Sequence, residues 1–213
     1  MNQRAMLKPI RTISLGAALL LSACQQPTAN QPPAQSSGEA APIAGVSLIG
    51  ATVGAPFTLT GKDGQRVSSD QFKGKYRIIY FGYTFCPDAC PNDVGVIIQG
   101  LLRFAKAHPA LAADVQPFFI TIDPARDTPA KVGQFAAAFS PKLIGLTGSQ
   151  AEIDALAKKF VAIKSQSGTD PARYLMDHTR HAYLLDRDGQ PIEILPVFDG
   201  PDAVAADLAK SVR

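Results

Sequence analysis

The chain has 213 residues, 46% of them hydrophobic, with 17 Gly, 17 Pro and 18% charged residues. That is enough for one domain of ordinary size, and it excludes a collagenous, coiled-coil or wholly disordered chain. The formal charge is +3, but Arg4, Lys8 and Arg11 supply three cations in a segment without acids, so the remainder is close to neutral. Nucleic-acid affinity comes largely from clustered Lys and Arg neutralising phosphates. No such cluster occurs, and nucleic acid is not an expected partner.

Residues 1–23 read as an export signal: a basic start, an apolar stretch over 13–21 broken only by Ser14 and Gly16, then the small Ser22 and Ala23. The apolar stretch is about half of what a helix needs to cross a hydrocarbon core, so removal of the leader is expected rather than a permanent span. Leu21-Ser22-Ala23-Cys24 resembles the lipobox of bacterial lipoproteins, in which the cysteine becomes the lipidated first residue. The rival reading is a plain secretory signal with an incidental cysteine. Residues 24–44 then form a lipidated cysteine and a flexible linker, since Gln, Pro, Ala, Ser, Thr and Asn bury too little surface to offset ordering entropy. Such a tether would hold a domain of residues 45–213 at a bacterial membrane, facing the periplasm or extracytoplasmic space.

Within that domain, residues 55–59 and 65–68 around Gly61-Lys62-Asp63-Gly64 predict an N-terminal β-hairpin. Residues 76–83 are a near-continuous apolar and aromatic run, as in a central strand buried on both faces. Beyond Pro91, the positions Val94, Ile97, Ile98, Leu101, Leu102 and Phe104 recur at helical spacing up to His108-Pro109. A second buried strand follows over 115–122, then a helix over 129–139, a short strand over 143–146 and a helix over 150–160. Residues 174–176, 182–185 and 191–195 read as strands around tight turns, and 202–212 as a closing amphipathic helix. Alternation of this kind gives βαβ units with helices on both faces of the sheet. With its hairpin ending, the pattern is that of an α/β, thioredoxin-like fold with a mixed central sheet.

Apart from Cys24, the cysteines are Cys86 and Cys90, in Phe85-Cys86-Pro87-Asp88-Ala89-Cys90-Pro91 directly after the central strand. Sites in open α/β sheets collect at the carboxyl ends of strands. Pro91 suits the first helical position, which places Cys90 near the N-cap, where the positive end of the helix is expected to lower the pKa of Cys90 and of Cys86. The spacing allows a disulfide or a shared soft metal. A structural disulfide and a thiol-redox pair are open readings, although the redox spacing on this fold is usually Cys-x-x-Cys. A closed zinc site needs four ligands, and too few cysteines are present. Among the histidines, His108 reads as a helix-end residue. His178 and His181, three apart on an extended segment, point to opposite faces, and spacing alone does not choose between them.

Three ordered motifs carry a resemblance. Phe81-Gly82-Tyr83-Thr84-Phe85-Cys86-Pro87-Asp88-Ala89-Cys90-Pro91, residues 121–129 (Thr-Ile-Asp-Pro-Ala-Arg-Asp-Thr-Pro), and Met176-Asp177-His178-Thr179 with Tyr183-Leu184-Leu185 closely resemble the Sco/SenC family over roughly residues 45–210. The resemblance implies a thioredoxin-like copper protein that helps assemble the dinuclear copper centre of cytochrome c oxidase. It implies copper as the metal, with Cys86, Cys90 and His178 as ligands, and as partners the copper-accepting oxidase subunit and an upstream copper donor. Members of the family are usually anchored by a transmembrane helix, so a lipidated Cys24 would be a departure. Two thiolates and an imidazole suit Cu(I), and with Cu(II) they make a neutral set. Asp123 is expected to orient a ligand, to form part of a docking surface, or to cap the loop before Thr128. Asp88 and Asp177 read as local turn or supporting groups. A thiol-disulfide reductase acting on the acceptor's cysteines, and a copper or redox sensor, are the competing functions.

Overall fold

The computed structural model describes residues 45–213. The leader, Cys24 and the linker over 24–44 lie outside the described residues. The strands are β1 (Val46–Ser47), β2 (Thr58–Thr60), β3 (Arg66–Ser68), β4 (Tyr76–Gly82), β5 (Val115–Thr121), β6 (Ile144–Leu146), β7 (Lys164–Ser167), β8 (Leu175–His178), β9 (Ala182–Leu185) and β10 (Pro191–Leu195). The helices are α1 (Ala89–Ala107), α2 (Pro109–Ala113), α3 (Pro129–Phe139), α4 (Gln150–Lys159) and α5 (Pro201–Ser211).

The main sheet has the order β1-β10-β9-β4-β5-β6. Strands β4, β5 and β6 are parallel, while β9 is antiparallel to β4 and β10 antiparallel to β9. Every residue of β4 and β5 is buried, which explains why both read as unbroken apolar runs rather than alternating ones. The mixed sheet, the preceding hairpin and the flanking helices are the expected thioredoxin-like arrangement.

Alternation along β4 sorts the two layers. Tyr80 and its register partner Phe119 face α1 and α3: the Tyr80 hydroxyl reaches Asp93 of α1, and the Phe119 ring lies 4.5 Å from that of Phe135. Phe81 faces the other way, 5.3 Å from Phe160 at the end of α4, and Phe118 packs there against Phe57 and Phe72. Helix α5 lies against α1, where Gly100 leaves room for Val204; a Cβ on Gly100 would come within 2.5 Å of it.

The structure departs from the sequence pattern in several places. The hairpin is β2–β3 with Gly64 at φ +75°, but its first strand begins at Thr58 rather than residue 55. Phe57 N–H is taken by the Ser69 hydroxyl, and Gly54 N–H by the Lys159 carbonyl, which draws 54–57 out of the ladder. Helix α1 starts at Ala89, so Pro91 is its third residue. That position is permitted because first-turn N–H groups have no intrahelical acceptor. Strands β1 and β7 and helix α2 were not expected, and β8 extends two residues further, to His178. No helix among the described residues is long and apolar enough to cross a membrane.

Candidate metal centre

Strand β4 ends at Gly82 because the chain must turn under α1. A side chain there would place its Cβ 3.0 Å from the Cys90 sulfur and 2.8 Å from Phe119, so the glycine makes room for the thiol. The turn that follows is fastened from below. Buried Asp127 accepts the Thr84 N–H at 2.9 Å, the Thr84 hydroxyl at 2.5 Å and the Thr121 hydroxyl at 2.6 Å. Cys86 N–H then closes onto the Tyr83 carbonyl. Cys86 is half-buried, whereas Cys90, in the first turn of α1, is 0% exposed.

The two cysteines are free thiols. Cys90 N–H, one of the unpaired donors at the start of α1, points at the Cys86 sulfur at 3.3 Å. His178 arrives from the end of β8, and its Nε2 lies 3.2 Å from the Cys90 sulfur. The ligand atoms of Cys86, Cys90 and His178 all lie within 4.8 Å of one another, and no fourth His, Cys, Asp or Glu joins them among the described residues.

The proton positions follow from the partners. His178 Nδ1 is 3.0 Å from the Thr179 carbonyl, which can only accept, so Nδ1 carries the hydrogen and Nε2 presents its lone pair to the Cys90 thiol. Burial pushes the His178 pKa down and keeps the ring neutral. Burial also pushes the Cys90 thiol up. This reverses the expectation of a lowered value for Cys90, because desolvation in the core outweighs the helix end. The edges of the imidazole and the rings of Tyr80 and Tyr83 meet nearly perpendicularly, at centroid distances of 6.3 and 6.0 Å.

The remaining histidines sit elsewhere. His181 packs on Tyr183, whose hydroxyl approaches its Nδ1 at 3.4 Å, and His108 ends α1 against Phe104. Asp123 is buried with both carboxylate oxygens engaged: Arg126 Nε lies 2.6 Å from one and the Tyr174 hydroxyl donates to the other at 2.6 Å. It joins the loop after β5 to the segment leading into β8. Asp88 accepts from Asn92 at 2.6 Å, and Asp177 lies exposed on β8.

Metal bonds to thiolate or imidazole of about 2.0–2.3 Å allow ligand atoms up to roughly 4–4.6 Å apart, so the cluster needs only slight closure to share one ion. Two sulfurs and an imidazole nitrogen are soft and borderline donors, suited to a soft ion such as Cu(I). Ligation would displace the thiol protons.

A family model described as SCO1/SenC matches residues 47–213. The chain belongs to the SCO1/SenC family. It is 38% identical over 170 residues to Protein sco1 of Schizosaccharomyces pombe, covering 76% of this chain and 62% of that protein. The chain spans about half to three fifths of the length of several curated relatives. Among solved structures, Bradyrhizobium japonicum ScoI with copper bound matches at 38% identity and a TM-score of 0.67, over 75% of this chain and 99% of that one. BsSco, described as having a disulfide switch and as a member of the Sco family of cytochrome c oxidase assembly proteins, matches at 26% identity and a TM-score of 0.55, over 78% and 93%.

Sequence reading missed the residues that brace the site. Asp127 stood in a quoted motif without a role. Asp93 carried a signal that was available: it lies three residues after Cys90, on the stripe that also holds Val94, Ile97 and Leu101, where a charge is out of place unless paired.

Proposed function

We propose that the protein is a copper metallochaperone that delivers copper to the dinuclear copper centre of cytochrome c oxidase during its assembly. The observation that carries this is the meeting of Cys86, Cys90 and His178 with their ligand atoms within 4.8 Å. Copper is the cargo. Cys86 and Cys90 take it as thiolates, and His178 offers the Nε2 lone pair that its Nδ1 hydrogen bond exposes. A three-ligand site with a half-buried Cys86 can pass its ion to an acceptor by ligand exchange, whereas a closed four-ligand site would retain it. The copper-bound ScoI relative and the oxidase-assembly description of BsSco support the reading.

The sequence adds the setting: residues 1–23 are a lipoprotein-type leader, Cys24 is lipidated, 24–44 form the tether, and the domain over 45–213 works on the extracytoplasmic side of a bacterial membrane, loaded by an upstream donor. Copper titration of the reduced protein and of Cys86→Ala, Cys90→Ala and His178→Ala, read by bound metal per chain and by ultraviolet-visible spectra, tests the site. One copper per wild-type chain and loss of stable binding in each variant are expected. Unchanged stoichiometry in His178→Ala would remove that ligand.

A second reading has an observation of its own. The free thiols of Cys86 and Cys90 approach across three residues, with Cys90 N–H on the Cys86 sulfur, as a thiol-disulfide reductase acting on the acceptor's cysteines would require. His178 separates the two, since disulfide exchange does not use the imidazole. Retained disulfide formation in a His178→Ala protein that no longer holds copper would show both capacities residing in one site.

A further inference from the structure

The cysteines and the histidine belong to different parts of the molecule, and one ion pair spans the gap. Asp93 lies on α1, one turn after Cys90, with a side chain 4% exposed. It accepts the Tyr80 hydroxyl at 2.8 Å and a two-pronged approach from Arg180: Nε at 2.8 Å on one oxygen and the second guanidinium nitrogen at 2.6 Å on the other. Arg180 lies two residues after His178, in the connection between β8 and β9, and its guanidinium also lies 4.7 Å from the ring centre of Phe198.

With Asp93 buried and the Arg180 side chain 38% exposed, the pair contributes little net stability, because desolvating the carboxylate consumes much of the attraction and solvent screens the rest. What a planar fork on a fixed carboxylate supplies is position, which a flexible ammonium does not reproduce. The position fixed here is that of the connection carrying His178, relative to the helix turn carrying Cys90. The ladder to β7 and the paired hydrogen bonds between Thr179 and Ile163 tie the His178 backbone to the ribbon, and the imidazole itself meets its own Thr179 carbonyl, the Cys90 sulfur and two ring edges. The fork is what ties this connection to α1.

We propose that Asp93 and Arg180 are a positioning pair, which holds the His178 imidazole against the Cys90 sulfur before metal arrives and so sets the affinity of the site. The inference rests on the copper-site reading above. Neither residue touches the ion; both act through His178.

The test is Cu(I) affinity by chelator competition, measured on the full chain with Tyr80→Phe/Asp93→Leu/Arg180→Met. This triple change removes both charges and the hydroxyl that would otherwise be left unpaired in the core. An affinity loss of about 10- to 100-fold is expected, as for other residues that orient metal ligands, with less than about a twofold effect when the same changes are made in a His178→Ala background. Equal losses in both backgrounds, or no loss in either, would overturn the proposal. Should the triple variant fail to fold, Arg180→Lys decides: it keeps the charge and loses the fork, and wild-type affinity in it would equally overturn the pair's role. Nitrogen NMR of the metal-free protein gives a copper-independent readout. A sharp His178 Nε2 signal shifted by the nearby Cys90 thiol is expected in the wild type, and a broadened or displaced one in the variant as the ring leaves the sulfur; an unaltered Nε2 signal counts against the proposal. If His178→Ala alone costs no affinity, the copper-site reading fails rather than the pairing geometry.

Discussion

Cys86 and Cys90 follow the end of β4, a strand buried at every residue between β9 and β5, whereas His178 ends β8, half of a two-stranded ribbon with β7 that is largely exposed. One side of the site is thus built into the core and the other is brought to it. The difference teaches that the thiols sit on the core itself, with Asp127 fastening their turn to it from beneath, while the imidazole is brought there by ties from outside the main sheet: Arg180 on Asp93, Arg126 on the Tyr174 carbonyl, and the Tyr174 hydroxyl on Asp123.

Perturbing the core side should have the largest effects. Cys90→Ala leaves two ligands and is expected to abolish copper retention in chelator competition, with His178→Ala next, since it spares both thiols. Ile79→Ala in β4, at 0% exposure, should destabilise the fold by about 2–5 kcal/mol in denaturant unfolding. Gly82→Ala forces its new methyl against Phe119 and the Cys90 sulfur; a cost of about 1–3 kcal/mol is expected, together with a changed copper spectrum.

Peripheral changes should matter less. The hairpin β2–β3 is tied to α4 by Arg66 and Glu152 at 2.6 Å. The Ser149 N–H, Arg66 and the Ser149 hydroxyl hold the Glu152 carboxyl at about 2, below its ordinary 4.5. A depressed carboxyl contributes its full stability above pH 4.5 and loses it as the pH falls towards 2. Glu152→Gln is therefore expected to cost less than about 1 kcal/mol at neutral pH, the pair being partly exposed, and progressively less as the pH falls through about 2. On the ribbon that carries His178, Leu175→Ala should change stability by no more than about 0.5 kcal/mol. A large effect there would erase the contrast between the two regions.

The same contrast governs what the sequence made legible. Helix α3 and strands β9 and β10 fall where the pattern put them, and β4 and β5 end within one residue of it, because apolar runs bounded by turns report burial directly. Strand β7, with the sequence Lys-Ser-Gln-Ser, has no alternation to read; it is a strand because β8 lies beside it in register. Two-residue β1 is likewise defined by Ile194 and Glu193 across from it. The thiol pair was visible from its place after a buried strand. The choice of His178 over His181 was not visible from spacing, since it depends on how the β8–β9 connection folds back onto α1, and family resemblance supplied it. Asp123 was singled out, but its buried pairing with Arg126 and Tyr174 is a tertiary contact that no local pattern reveals.

The margins of the six-stranded sheet have a consequence of a different kind. Among the described residues one border is the two-residue β1 and the other the three-residue β6, beyond which Thr147 is already bridged to Thr60 of the hairpin. Long bare borders invite a neighbouring copy to zip on through its backbone. Borders this blunt give it almost nothing to grip, so clumping of crowded copies through the margins of this sheet is disfavoured.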